Sequence, residues 1–205
     1  MSLPDEFVTV AVAHSAELKE RSSRFIAYVF PLETEEQAKL ELTQLKKEHY
    51  SAAHHCWAFV LNPDASFQKS SDDREPSGTA GKPILRAILS AGLTNVMVVV
   101  VRYFGGKLLG VPGLIAAYGQ SAELVLQEAN KKQKKLRHIY QVLLGYEHQH
   151  QLIRVLKQAE LKFYPCADAE SEGIIFEVSP SKNLQIVHKI KEELLLEPKY
   201  IRDEK

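Results

Sequence analysis

An α+β fold in two domains is what this sequence of 205 residues predicts. Three observations carry that expectation. Short runs of β-branched and aromatic residues alternate with segments of helical periodicity. A lysine-rich stretch, residues 131–137 (KKQKKLR), breaks the pattern and reads as a charged connector. Beyond it the order is strand, helix, strand, strand, helix, strand, the ferredoxin-like split βαβ plan. The domains are therefore placed at residues 1–135 and 136–205.

In the first domain, residues 7–13 (FVTVAVA) and 24–30 (RFIAYVF) read as strands. The polar residues between them form a loop or an edge segment. Pro31 stops the second strand. Thr34 opens a helix with Gln37 as its capping-box partner, and Leu40, Leu42 and Leu45 supply the apolar face up to about residue 48. Residues 54–61 (HHCWAFVL) are a third strand, closed by the turn Asn62-Pro63-Asp64. Residues 64–80 then read as one long polar loop, a length that signals function or mobility. Pro83 sits near the first turn of a helix that Gly92 ends. The unbroken apolar run in residues 95–103 (NVMVVVVRY) predicts a central strand buried on both faces. A glycine-rich turn, residues 105–113, leads into a helix from about residue 114 to 130.

In the second domain the strands are placed at residues 139–146, 161–167, 172–178 and 198–203, with a short acidic turn between the middle two. One helix spans residues 149–160, with Leu152, Val155, Leu156 and Ala159 on one face. Ser181 caps the other, over residues 182–196.

Hydrophobic residues make up 45% and charged residues 25%, values that support a buried core and argue against disorder. The 26 basic and 26 acidic side chains cancel, so bulk charge does not point to nucleic acid and only a local basic patch remains. Two distant cysteines, Cys56 and Cys166, build neither a disulfide framework nor a cysteine-rich zinc module, and free thiols suit a reducing cytosol. The start, MSLPDEF, has no secretory pattern. The longest apolar run, residues 96–101, falls far short of the about 20 residues a membrane helix needs. A cytoplasmic location is expected.

Two segments carry candidate chemistry. The turn after the central strand combines Arg102, Tyr103, Gly105, Gly106 and Lys107. Backbone N–H groups at such a helix start attract anions, and the two cations add to that. It is not a P-loop, and the glycines equally suit close strand-on-helix packing. The loop that follows the third strand holds Asp72, Asp73, Glu75 and Thr79; its acids can bind a cation or act as an acid/base pair, or they can simply be solvated. His54 and Cys56 share one face of their strand, His55 and Trp57 the other, a poor geometry for a nucleophile with its base. Arg21 and Arg24 flank two serines and can meet phosphates, as can the connector lysines. His148 and His150 read as surface residues. No HExxH or GxSxG motif and no Cys–His–acid set is present, so no catalytic residue, cofactor or metal is assigned.

Several spaced motifs between about residues 20 and 120 then resemble the IMPACT family: Ser23-Arg24-Phe25, His54-His55-Cys56-Trp57-Ala58, Ser71-Asp72-Asp73, Glu75-Pro76, Gly78-Thr79-Ala80-Gly81-Lys82-Pro83, Arg102-Tyr103-Phe104-Gly105-Gly106 and Ala117-Tyr118-Gly119. The remaining third resembles the C-terminal domain of the bacterial YigZ-like members. The resemblance implies an N-terminal domain like a small-subunit ribosomal protein and domain IV of elongation factor G, and a ferredoxin-like second domain like domain V of that factor. It implies a role in translation, since eukaryotic relatives regulate initiation through the amino-acid-starvation kinase pathway. It transfers no catalytic residue. Family members usually carry Gly where Pro112 stands; proline lacks an N–H, which weakens an anion nest there.

The expectation is thus a translation-associated regulatory protein that binds RNA or the ribosome, with no DNA specificity. Arg24, Lys82, Arg102, Lys107, Gly105 and Gly106 are its phosphate-contact candidates, and His54, His55, Asp72, Asp73, Glu75, Thr79 and Tyr103 its further site candidates. The alternatives are a small-ligand or metal-binding hydrolase that uses Asp72, Asp73 and Glu75, and a protein-interaction adaptor that uses the second sheet with Phe163, Tyr164, Ile174 and Phe176.

Overall fold

The computed structural model describes residues 3–168 and 171–204. The chain divides into two compact units, Phe7–Gln133 and, with the N-terminal Met1–Glu6, Lys134–Lys205.

The first unit contains β1 (Glu6–Val10), β2 (His14–Glu20), β3 (Ser23–Pro31), α1 (Glu35–Glu48), β4 (His54–Leu61), β5 (Phe67–Ser71), α2 (Gly81–Ser90), β6 (Val96–Tyr103), α3 (Gly110–Glu128) and β7 (Lys131–Lys135), the first and last of which run on into the second. Five strands form an antiparallel sheet in the order β2-β3-β6-β4-β5. Strand β6 is central and buried on both faces, as its apolar run predicts. Val96, Val98 and Val100 pack under α2 and α3 with Phe25, Ala58 and Tyr118; Met97, Val99 and Val101 face α1 with Ile26, Phe59 and Leu45. Helix α1 begins with the expected capping box, Gln37 N–H on Thr34 Oγ1 at 3.2 Å and Thr34 N–H on Gln37 Oε1 at 3.3 Å.

Three local expectations change. Within the supposed loop 64–80, β5 pairs with β4, because Phe67 reaches Phe59 and Lys69 reaches Glu35 across neighbouring elements. The lysine-rich connector is strand β7, hydrogen-bonded to β1; a lysine-bearing edge ladder needs no side-chain burial. Helix α3 starts at Gly110, so Pro112 lies in its first turn, where a missing N–H costs no helical bond.

The second unit holds β8 (Arg137–Leu143), α4 (Tyr146–Gln158), β9 (Phe163–Asp168), β10 (Ser171–Val178), α5 (Pro180–Leu194) and β11 (Lys199–Glu204). The sheet order β11-β8-β10-β9 with antiparallel neighbours is the split βαβ arrangement. Its core joins Val142, Leu152, Leu156, Ile174, Phe176 and Ile190. Of the four residues singled out for an adaptor, Phe163, Ile174 and Phe176 pack with that core, and Tyr164 is exposed. Helix α5 starts one residue before Ser181, whose N–H and Oγ–H donate to Asp5 at 2.8 and 2.6 Å. Residues 169–170 of the acidic turn lie outside the described residues.

Candidate cleft beside the central strand

At the end of β6 the pairing register sets His54 opposite Arg102 and Phe25 opposite Arg102 on the other side. Behind them Tyr118 rises from α3, and the segment after β5 folds over the strand ends. That segment is held by Asp72. Its Oδ1 accepts the N–H groups of Ala80 and Gly81 at 2.9 and 2.8 Å, and its Oδ2 that of Gly78 at 2.8 Å. Asp72 thus caps α2, whose own cap residue, Ala80, has no side chain to do so. Burial raises the Asp72 pKa, but the three N–H donors and Lys82 outweigh it and hold the carboxyl below its usual range. Gly81 is required because a Cβ would stand 2.8 Å from the backbone of Ser71.

Asp73 holds the next strand. Its Oδ2 accepts the His55 N–H at 2.7 Å, and its carbonyl accepts from His54 Nδ1 at 2.8 Å. Because Nδ1 donates to a carbonyl, a ring with a single proton carries it there and leaves Nε2 as the acceptor. Asp73 and Arg74 adopt left-handed backbone, φ 38° and 72°, to make the fold-over. Thr79 closes it with Oγ1 donating to the Pro76 carbonyl at 2.6 Å.

Glu75 then reaches the interior. Its Oε1 accepts from Arg102 Nη1 at 2.6 Å and from the Tyr118 hydroxyl at 2.8 Å, with both members of the ion pair almost wholly buried. His54 Nε2 lies 3.7 Å from the same oxygen. The Arg102 guanidinium stands over the rings of Phe25 and Phe104 at 5.5 and 5.6 Å, and its Nη2 reaches Ser23 Oγ at 3.5 Å. Ser23 Oγ also accepts the Gly105 N–H at 3.3 Å. The Gly105 backbone packs so closely on Ser22 that a Cβ there would collide with its carbonyl. Glycine is needed at this position for close approach, while Gly106, at φ +81°, is needed for its backbone conformation. Burial pushes the Tyr118 hydroxyl and the Cys56 thiol far up, so both stay protonated; the thiol donates to the Asp72 carbonyl at 3.1 Å.

Above this floor opens a cleft of about 490 Å3, lined by His54, Glu75 and Arg102 below and by Pro76, Phe104, Leu108, Val111 and Leu114 at the sides. Phe104, Leu108 and Val111 are 50%, 85% and 51% exposed.

The predicted residues therefore separate. His54, Asp72, Asp73, Glu75, Thr79, Arg102 and Gly105 build one site. Arg102 is an interior cation paired with Glu75, whereas Lys82 and Lys107 are exposed. Arg24 pairs with Glu17 at 2.8 Å on the exposed edge strand. His55 is buried on the α1 side, where desolvation lowers its pKa. Tyr103 is on that side as well: its hydroxyl meets His49 Nδ1 at 2.8 Å, and Tyr28 meets His49 Nε2 at 2.7 Å. Among the described residues no three His, Cys, Asp or Glu side chains gather as a metal site. Sequence reasoning missed Ser23 and Tyr118 as site members, although both lie within the motifs; an aromatic hydroxyl in a helix gives no sign of which strand it will meet.

Comparison with known proteins places these residues in a family. The Impact N-terminal domain matches residues 21–126, a span that contains every residue of the site. The IMPACT family member YvyE of Bacillus subtilis (strain 168) is 39% identical over 140 residues, 68% of this chain and 64% of its own length. The IMPACT family member YigZ of Escherichia coli (strain K12) is 42% identical over 116 residues, 56% of this chain and 57% of its own. The chain thus spans somewhat less than two thirds of the length of these relatives. Among solved structures, one described as the crystal structure of an hypothetical protein superposes with a TM-score of 0.69 at 28% identity, covering 98% of this chain and 99% of that one. The two-domain translational regulator Yih1 is 29% identical, covering 62% of this chain and 48% of its own, at a TM-score of 0.37, a superposition too partial to carry an argument. With more than half of its residues inside the family's own domain, the chain belongs to the IMPACT family.

Proposed function

We propose that this chain is a translation-associated regulatory protein that acts by binding RNA, on or off the ribosome, with the cleft side of its N-terminal unit. The observation that carries this reading is the division of labour around the cleft. The acidic groups are turned inward: Asp72 on three backbone N–H groups, Glu75 on Arg102 and Tyr118. Exposed beside them are the aromatic ring of Phe104 with Leu108 and Val111 on the cleft, and outside its lining the cations Lys107, next to Leu108 in the chain, and Lys82 on α2; an aromatic ring and cations are the groups that stack bases and meet phosphates. Family membership supports the same direction. A hydrolase built on the acidic loop fits less well. It needs carboxylates free to exchange protons or hold a cation, and the one thiol beside the loop, Cys56, is fully buried with its pKa raised, while the Thr79 hydroxyl is spent on the Pro76 carbonyl.

The test is co-sedimentation with ribosomes and their subunits over a salt series, wild type beside Lys82→Ala/Lys107→Ala. Binding that falls with salt, with a slope reduced by about one per phosphate contact removed, is expected. No sedimentation with ribosomes and no binding of free single-stranded RNA, both at low salt, overturns the reading. Arg102→Ala is unsuitable as a probe, because it opens the interior.

A further inference from the structure

The free groups in the cleft define what it accepts. Glu75 uses one carboxylate oxygen, Oε1, for Arg102 and Tyr118; Oε2 has no partner among the described residues, and Glu75 lines the cleft. His54 spends Nδ1 on the Asp73 carbonyl, so with one ring proton it offers Nε2, 3.7 Å from Glu75 Oε1, as a second acceptor on the same lining. Two adjacent acceptors call for N–H donors. A cationic donor is disfavoured, since Arg102 already neutralises Glu75 at 2.6 Å and would repel a second positive charge. An anion is disfavoured as well, because Arg102 Nη1 and Nη2 point to Glu75 and Ser23, and its remaining donor, Nε, unpartnered among the described residues, is buried out of reach of the cleft. What remains is a neutral body with N–H groups on one edge. The walls add that the body is apolar and flat-faced: Phe104 is backed by the Arg102 guanidinium at 5.6 Å and still 50% exposed, so one of its faces is open for stacking.

We infer that the cleft is a receptor for one neutral, amino-bearing nucleobase, stacked on Phe104 with its N–H edge on Glu75 Oε2 and His54 Nε2. This deepens the RNA-binding reading and rests on it: the base is one turned out of a single strand, and the exposed Lys107, next to the lining residue Leu108 in the chain, is the candidate for a flanking phosphate. A free nucleoside presents the same edge, and the experiment separates the two sources.

In one arm, methyl NMR of Leu108, Val111 and Leu114 is followed during titration with adenosine and with N6,N6-dimethyladenosine, which keeps the stacking surface and loses the donors. In the other, fluorescence anisotropy measures short single-stranded oligoadenylate and its N6-dimethylated counterpart, for wild type, Phe104→Ala and Phe104→Trp. The expected result is a preference of about tenfold for the amino form in both arms, lost in Phe104→Ala and kept in Phe104→Trp. RNA binding that ignores both the methyl groups and Phe104 overturns the base receptor and leaves RNA binding standing. Nucleoside shifts without oligonucleotide binding support the receptor and overturn the RNA reading. Silence in both arms overturns the receptor, and the RNA reading then stands or falls on sedimentation.

Discussion

The interiors of the two units are chemically unlike. In the C-terminal unit the core is hydrocarbon and aromatic: Val142, Leu152, Leu156, Ile174, Phe176 and Ile190 fill it. In the N-terminal unit a salt bridge and a tyrosine hydroxyl lie inside, beneath an open cleft. The units otherwise use similar devices, down to a carboxylate that caps a helix from a distance: Asp5 for α5 and Asp72 for α2. The difference separates two tasks. Hydrocarbon packing stabilises without regard to direction. A buried ion pair contributes little net stability against well-packed apolar residues, but it fixes where its atoms point. In the N-terminal unit that direction is what the proposed receptor needs, since Arg102 and Tyr118 both take Glu75 Oε1 and leave the other oxygen uncommitted.

The largest expected effect tests that separation. Arg102→Ala leaves Glu75 buried without its cation and should cost about 3–5 kcal/mol, read by urea unfolding. Phe176→Ala in the other core should cost a similar amount by leaving a cavity. The two then diverge. Replacing the pair together, Arg102→Met with Glu75→Leu, should restore most of the lost stability while abolishing the preference for an amino-bearing base. If the double variant remains as unstable as Arg102→Ala, the pair is structural and the contrast between the units collapses.

A smaller effect distinguishes the two remote caps. Asp72 accepts three N–H groups, so Asp72→Asn, which must turn an amide NH2 toward one of them, should cost about 1–3 kcal/mol. Asp5 holds one N–H and one hydroxyl in a more open setting, and Asp5→Asn should cost less. Burial raises both pKa values, but hydrogen bonds oppose it and, with a nearby cation, leave each net below the ordinary 3.8. A depressed carboxyl stabilises the fold fully above its unfolded value and loses that contribution as pH falls through the native one. The acid limb of the stability curve, from about pH 4 downward, should therefore flatten in Asp72→Asn, with little change near pH 7 beyond the constant loss.

These residues also mark what the sequence made legible. The apolar run of β6 announced a strand buried twice over, and the second unit's order followed from periodicity alone, because both signals are local in the chain. Strand β7 was not readable: five residues, KKQKK, carry no strand pattern, and their pairing depends on β1 lying alongside. The site divided the same way. Asp72, Glu75, His54 and Arg102 stood out as residue types, but whether Arg102 would face a phosphate or a glutamate depends on a contact 27 positions away in sequence. Glycine gave the clearest hint, since Gly105 and Gly81 mark the backbone approaches that close the site.

The weakest expected effect concerns the other face of the same sheet. His49 ends α1 between two phenols, with Tyr28 on Nε2 at 2.7 Å and Tyr103 on Nδ1 at 2.8 Å. A neutral imidazole satisfies both by accepting from one and donating to the other. Tyr28→Phe removes one partner and should cost about 0.5–1.5 kcal/mol in thermal or urea unfolding. Tyr103→Phe in the same background should then add less than it does alone, because the two hydroxyls share one ring. Neither change should alter the base preference, since Tyr28 and Tyr103 pack toward α1 while Arg102, one residue earlier in β6, points under α2 and α3. A base preference that moved with Tyr103 would mean that strand β6 transmits between its two faces, and the cleft would then extend to the α1 side of the sheet.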